Sequence, residues 1–175
     1  MSWRAISRWL FGSGEARVRP AGGGCINDAA VLEVPGKAPL FVKRNAAAQL
    51  PMFEAEAFGL RVLRDAGAIR VPEPVAFGTE GGSAFLALEF LPLGARTPER
   101  EREMGRQVAR LHRCAGSGSR FGFSIDNRIG EAPQRNAWRD SWVGFYRECL
   151  PDRRSRGLRR RGCASGGGGA DGAAR

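Results

Sequence analysis

The chain is poor in the residues most often asked to do chemistry at neutral pH. Its 175 residues include a single histidine, His112, and a single tyrosine. One histidine cannot complete a usual zinc set. The four cysteines, Cys25, Cys114, Cys149 and Cys163, form no C-x-x-C pair, so they read as free thiols in a reducing compartment. No apolar run approaches the roughly 20 residues of a membrane span. In Met1 to Gly14 the arginines Arg4 and Arg8 interrupt short apolar pieces, and the continuous apolar core of a signal peptide is missing. These absences predict a cytoplasmic protein with no membrane partner. Lysine is also scarce: among 28 basic residues only Lys37 and Lys43 are lysines. A codon bias toward Arg, Ala and Gly explains the excess of arginine. Against that bias a retained lysine stands out.

What is present fits a folded domain. The hydrophobic fraction of 42% is ordinary, and the length allows one domain with an adequate core. The formal charge of +10 first suggests a nucleic-acid binder, but it is unevenly spread. From Pro151 to Arg175 there are seven Arg and two Asp, so 7 − 2 = +5, half the total. The remainder is mildly basic with no basic-aromatic stripe, which does not point to nucleic acid. The last segment has an Arg cluster from Arg153 to Arg161, then glycine and alanine, with almost no apolar content. It reads as a disordered tail, and its abrupt change of composition suggests an out-of-frame translation.

Periodicity places the elements. Trp3, Ile6 and Leu10 predict a short leading helix. Ala16 to Pro20 reads as a strand, residues 22 to 27 as a glycine turn, and Ala29 to Val34 as the returning strand. Pro35-Gly36 is a turn signal, and Leu40 to Lys43 is a third strand. Pro51 suits the first turn of the next helix, whose stripe is Phe53, Ala57, Leu60 and Leu63, with Gly67 as its C-terminal cap. Val75 to Gly78 and Ala84 to Glu89 follow as two more strands. Met104, Val108 and Leu111 mark a second long helix. Phe121 to Pro133 reads as a loop. Trp138, Trp142, Phe145 and Cys149 step at helical spacing, which predicts a third helix with its tryptophans in the core.

The order of parts suggests phosphate chemistry. A glycine turn lets backbone N–H groups approach phosphate oxygens closely. A strand lysine, Lys43, can meet the phosphates, and a helix glutamate, Glu56, can hold that lysine in place. Each part has a plainer reading: a tight hairpin turn, a solvated lysine, a surface glutamate. Glu54 reads as solvated and His112 as structural. Cys25, beside backbone N–H groups, is a candidate redox-sensitive thiol. Asn127, Gln134 and Asn136 either shape a cleft or make turn hydrogen bonds.

With these blocks placed, the chain resembles the fructosamine kinase (ketosamine-3-kinase) family. The matching pieces are Gly23-Gly24-Cys25-Ile26-Asn27, Phe41-Val42-Lys43, Met52-Phe53-Glu54-Ala55-Glu56 with Gly59-Leu60, Val71-Pro72-Glu73-Pro74, Leu88-Glu89-Phe90-Leu91 and Leu111-His112. Phe121-Gly122-Phe123, Asn127, Ile129-Gly130, Pro133-Gln134, Asn136, Trp138, Trp142 and Phe145 complete the set. The resemblance runs from about Gly22 to Arg147, and the Asn-x-Ile-Gly-x-x-Pro-Gln-x-Asn block is its most specific piece.

The resemblance implies an α+β protein-kinase-like fold. Residues 1–89 would form the N-terminal lobe, an antiparallel five-stranded sheet with one helix. Residues 90–150 would form the hinge and the first helices of a truncated C-terminal lobe, and 151–175 the tail. It implies ATP and Mg²⁺ as cofactors. Gly23, Gly24, Cys25, Ile26 and Asn27 would line the phosphate loop, Lys43 would contact phosphates, Glu56 would orient it, and Glu89, Phe90 and Leu91 would meet adenine. The implied substrates are ketoamine-modified proteins or small amines, phosphorylated on the sugar toward deglycation. The chain departs from the family pattern in one respect. The His-Gly-Asp-Leu-Trp-type loop and the later metal-binding Asp are absent, so no catalytic residue or metal ligand is expected here. A catalytically dead nucleotide-binding fragment or pseudogene product is therefore an alternative reading. A small-molecule kinase of aminoglycoside or choline type is another, which the Asn-x-Ile-Gly block disfavours.

Overall fold

The structure is a computed structural model, and it describes residues 3–22, 26–114, 118–130 and 132–149. Five strands form one antiparallel sheet: β1 (Arg17–Pro20), β2 (Asp28–Glu33), β3 (Leu40–Ala46), β4 (Pro74–Glu80) and β5 (Ser83–Glu89). Their spatial order is β1-β2-β3-β5-β4. Strand β1 lies at one edge, exposed along its length and closed by Pro20, which has no N–H to offer another strand.

A helix covers each face. On one side α1 (Trp3–Phe11) buries Ile6 against Ala30, Leu32, Val42, Phe85 and Ala87. On the other α2 (Leu50–Asp65) buries Phe53 and Ala57 against Ala84, Leu86 and Leu88. The alternation of strand side chains separates these two cores. Phe85 and Ala87 point to α1 while Leu86 and Leu88 point to α2. Full burial of each large side chain contributes about 1.5–3 kcal/mol. The leading helix thus forms as its spacing predicts and gives the sheet a second helical layer.

Helix α2 has the punctuation its sequence promises. Pro51 sits in the first turn. Gly67 takes φ +62°, and its N–H donates to the Arg64 carbonyl at 2.9 Å, so glycine closes the helix without Cβ strain. Strand β3 runs three residues past Lys43, to Ala46, because β5 continues to pair with it there.

Beyond the sheet, α3 (Pro98–Arg113) begins well before its apolar stripe. Thr97 caps it by accepting the Arg100 N–H at 3.3 Å, and Glu99 and Glu101 occupy its first turn. The stretch expected as a loop contains a small hairpin, β6 (Asn127–Ile129) with β7 (Ala132–Gln134). Helix α4 spans Trp142–Cys149 and excludes Trp138. Trp138 precedes it in a segment where Phe121 and Arg139 exchange backbone hydrogen bonds of 2.7 and 2.8 Å. The helical spacing predicts a core role for Trp138 and Trp142, or an exposed face where no second lobe covers it, and both are exposed. Helical spacing shows that side chains share a face, and does not show what covers it.

Candidate functional site

Lys43 lies on the α2 face of the sheet, where Phe41 also packs. Its strand neighbours are Ala29 on β2 and Leu86 on β5. Glu56 stands on α2 one residue before buried Ala57 and one turn before Leu60. This placement brings its carboxylate oxygen to 2.5 Å from the Lys43 ammonium. The pair is partly shielded, with side chains 27% and 30% exposed. An ammonium carries three N–H donors, so one carboxylate contact leaves it able to bind a further anion. The structure therefore joins the two residues that the sequence pattern paired. Glu54, on the same helix, is exposed.

Of the phosphate-loop candidates, Gly23, Gly24 and Cys25 lie outside the described residues. Ile26 and Asn27 are described, and both are held by Asn45. The Asn45 side-chain amide donates to the Ile26 carbonyl at 3.0 Å and to Asn27 Oδ1 at 2.8 Å. Its own oxygen accepts the Ala46 N–H at 2.7 Å, which fixes the amide's orientation. Sequence reading missed Asn45. Its only signal was its place two residues after Lys43, hence on the same face of β3.

Glu89, Phe90 and Leu91 leave the end of β5 together. The Glu89 N–H donates to the Glu73 carbonyl at 2.8 Å, and its carboxylate accepts the Glu73 N–H at 3.2 Å. The same carboxylate is paired with Arg70 and approached by Arg64 at 3.9 Å. Its side chain is thus engaged in bracing the strand end. Phe90 lies under the Arg19 guanidinium, 5.3 Å from ring centre to carbon. Leu91 is half-buried.

The polar residues after α3 form a turn scaffold. Asn136 donates to the Ile125 carbonyl at 2.9 Å and to Asn127 Oδ1 at 3.1 Å, and its backbone N–H donates to Asp126 at 2.7 Å. Of the two readings of Asn127, Gln134 and Asn136, turn hydrogen bonding is the one visible here. His112 is exposed in the last turn of α3.

Among the described residues no group of three or more His, Cys, Asp or Glu converges on one point.

A five-stranded antiparallel sheet with a helix-borne glutamate on its strand lysine defines the N-terminal layer of a protein-kinase-like fold. The fructosamine kinase family model matches residues 3–157. The chain is 43% identical over 130 residues to a probable ketoamine kinase of Synechocystis, covering 74% of this chain and 43% of that protein. It is 35% identical over 153 residues to the chloroplastic protein-ribulosamine 3-kinase of Arabidopsis thaliana, covering 85% and 46%. In structure it is similar to a Haemophilus somnus protein assigned as a fructosamine-3-kinase, with a TM-score of 0.72 at 27% identity, over 84% of this chain and 51% of that one. The chain belongs to the fructosamine kinase family. It spans about half the length of the relatives it matches.

Proposed function

We propose that this chain binds the phosphates of ATP at Lys43 and contributes the nucleotide-holding part of a ketoamine kinase. The Lys43–Glu56 contact of 2.5 Å carries the proposal. A strand lysine fixed by a helix carboxylate offers a preset positive charge and loses little freedom when phosphates arrive. The connector from Glu89 to Leu91 supplies backbone groups to adenine. In the complete reaction a sugar hydroxyl oxygen bonds to the γ-phosphorus, the bond to the β-phosphate oxygen breaks, and ADP leaves. The hydroxyl proton passes to a base. Ketoamine-modified proteins or small amines are the substrates in this reading, and phosphorylation leads to deglycation. The working compartment is the cytoplasm, a reading supported by Cys114 and Cys149 being free thiols.

A second reading keeps nucleotide binding and drops turnover. It is favoured by the Lys43–Glu56 pair being an arrangement that bears on phosphate binding and not on the transfer itself. Two measurements separate the readings. Calorimetric titration with ATP-Mg²⁺ should show binding that Lys43→Ala weakens about tenfold or more, roughly 1.4 kcal/mol. Equal binding by both proteins would end the proposal for Lys43. Phosphate transfer to a synthetic fructosyl-amine, abolished by Lys43→Ala, would select the enzyme. Binding without transfer would select the nucleotide binder.

A further inference from the structure

Helix α2 is tied to polar groups at two places. Within its first half Glu56 holds Lys43. Two turns later Arg64 forks over two carboxylates, Glu73 at 3.2 Å and Glu89 at 3.9 Å. Eight residues separate the ties, about 12 Å along the helix axis. The fully buried side chains of α2, Phe53 and Ala57, both lie in its first half. Hydrophobic burial therefore anchors one end better than the other.

The second tie is partly shielded from solvent. The Arg64 and Glu89 side chains are each 34% exposed, so water and salt screen their attraction less than at an open surface. Glu89 is fixed in turn by Glu73, whose carbonyl accepts the Glu89 N–H and whose N–H donates to the Glu89 carboxylate. A groove of about 410 Å³ opens beside this cluster, lined in part by Arg64, Arg70 and Arg110. All three guanidinium groups are already paired with carboxylates, Arg110 with Glu103 at 3.2 Å. Of the three, only Arg64 lies on α2, and it ties the end of that helix to Glu73 and Glu89.

We propose that Arg64 and Glu89 are positioning residues that set the angle of α2 and so hold Glu56 against Lys43. The buried half of α2 resists tilting, but the helix can still turn about its own axis, and such a turn carries the Glu56 carboxylate away from Lys43; a tie at the far end opposes it. Arg64 and Glu89 link that far end to the last residue of β5, next to the connector Phe90-Leu91. The functional meaning rests on the nucleotide reading of Lys43. The mechanical claim does not.

The scarcity of lysine supplies the test. Lys43 and Lys37 are the only lysines of the chain, so slow acylation with an amine-selective reagent, resolved by peptide mass, reads each one separately. Lys37 donates to the Phe11 carbonyl at 2.5 Å and serves as an internal monitor of general loosening. Glu56→Gln should speed acylation of Lys43 by removing its partner. Arg64→Met and Glu89→Gln should each speed it about threefold or more with Lys37 unchanged, and Arg64→Lys should restore part of the protection. The double variant Arg64→Met/Glu56→Gln should be no faster than Glu56→Gln alone, because both act through one contact. An unchanged Lys43 rate in Arg64→Met and Glu89→Gln, or additive rates in the double variant, overturns the proposal. Parallel rises at Lys37 and Lys43 also overturn it, since they report loss of the fold in place of helix angle. The same variants titrated with ATP and with adenosine give the functional arm: Arg64→Met should weaken ATP more than adenosine. Should Lys43→Ala bind ATP as well as the parent does, the nucleotide reading fails while the acylation rates still decide the mechanical claim.

Discussion

Gln134 donates its side-chain amide to the carbonyl of Cys149 across 3.0 Å of buried space. That bond fastens the hairpin of β6 and β7 to the last turn of α4. The same amide donates to the Arg135 carbonyl at 3.0 Å. Its oxygen is buried without a hydrogen-bond partner among the described residues. The side chain is thus specified as a donor.

Gln134→Glu should destabilise the chain by about 1–3 kcal/mol, because it replaces the donor with oxygen facing two carbonyls. Gln134→Met should cost less, since it also removes the unpartnered oxygen. Denaturant unfolding of the three proteins checks the order. A Glu variant as stable as the parent would show that the amide is not needed as a donor.

Glu103 provides a pH prediction. Gln107 donates to it at 3.3 Å and Arg110 at 3.2 Å, and these bonds hold its carboxyl below the usual carboxylate range against a weaker opposing desolvation. A lowered folded-state value stabilises the helix above the carboxyl's unfolded value. That support fades as pH falls through the lowered folded value. In a side-chain NMR titration Glu103 should protonate at lower pH than the carboxyl of Gln107→Ala/Arg110→Ala. Coincident curves for the two proteins would remove this contribution from α3.

Trp142 is the hub of an exposed aromatic group. Its ring lies 6.0 Å from Phe121, 5.8 Å from Phe145 and 6.0 Å from Tyr146. Trp142 is 54% exposed and Tyr146 57%. A contiguous apolar patch of this kind promotes association. Sedimentation velocity should show self-association that grows with concentration and that Trp142→Arg reduces. A monomer at high concentration would count against it.

The strands were legible because short apolar runs, Ala29–Leu32, Leu40–Val42 and Ala84–Leu88, are bounded by turn signals such as Pro35-Gly36 and Gly81-Gly82. The Lys43–Glu56 pair was legible because strand and helix spacing put both residues beside α2's apolar stripe. The start of α4 was not read correctly, although its signal was present. Ser141 accepts the Gly144 N–H at 3.1 Å and caps the helix three residues after Trp138. The aromatic period that runs through Trp138 and Trp142 masks that cap. The three-residue strands of the small hairpin are too short to show a period, and only Gly130, at φ +66°, marks their turn. The Arg64–Glu73–Glu89 cluster joins a helix, a loop and a strand end. Local sequence patterns carry no trace of such long-range charge pairing.

Lys43 and Arg44 are consecutive on β3 and serve opposite layers. Lys43 reaches Glu56 under α2, while Arg44 lies 4.3 Å from the Trp3 ring centre on the α1 side and pairs with Asp28 at 3.1 Å. A one-residue slip of β3 would exchange these layers, turning an ammonium toward Trp3 and a planar guanidinium toward Glu56. The strand thus carries its own proofreading. A deletion of one residue inside it would reverse every side chain beyond the cut, whereas a change of length in the turn at Pro35-Gly36 would leave both layers as they are. Variation in length within this family's first sheet is therefore expected to gather in that turn and to spare the seven residues from Leu40 to Ala46.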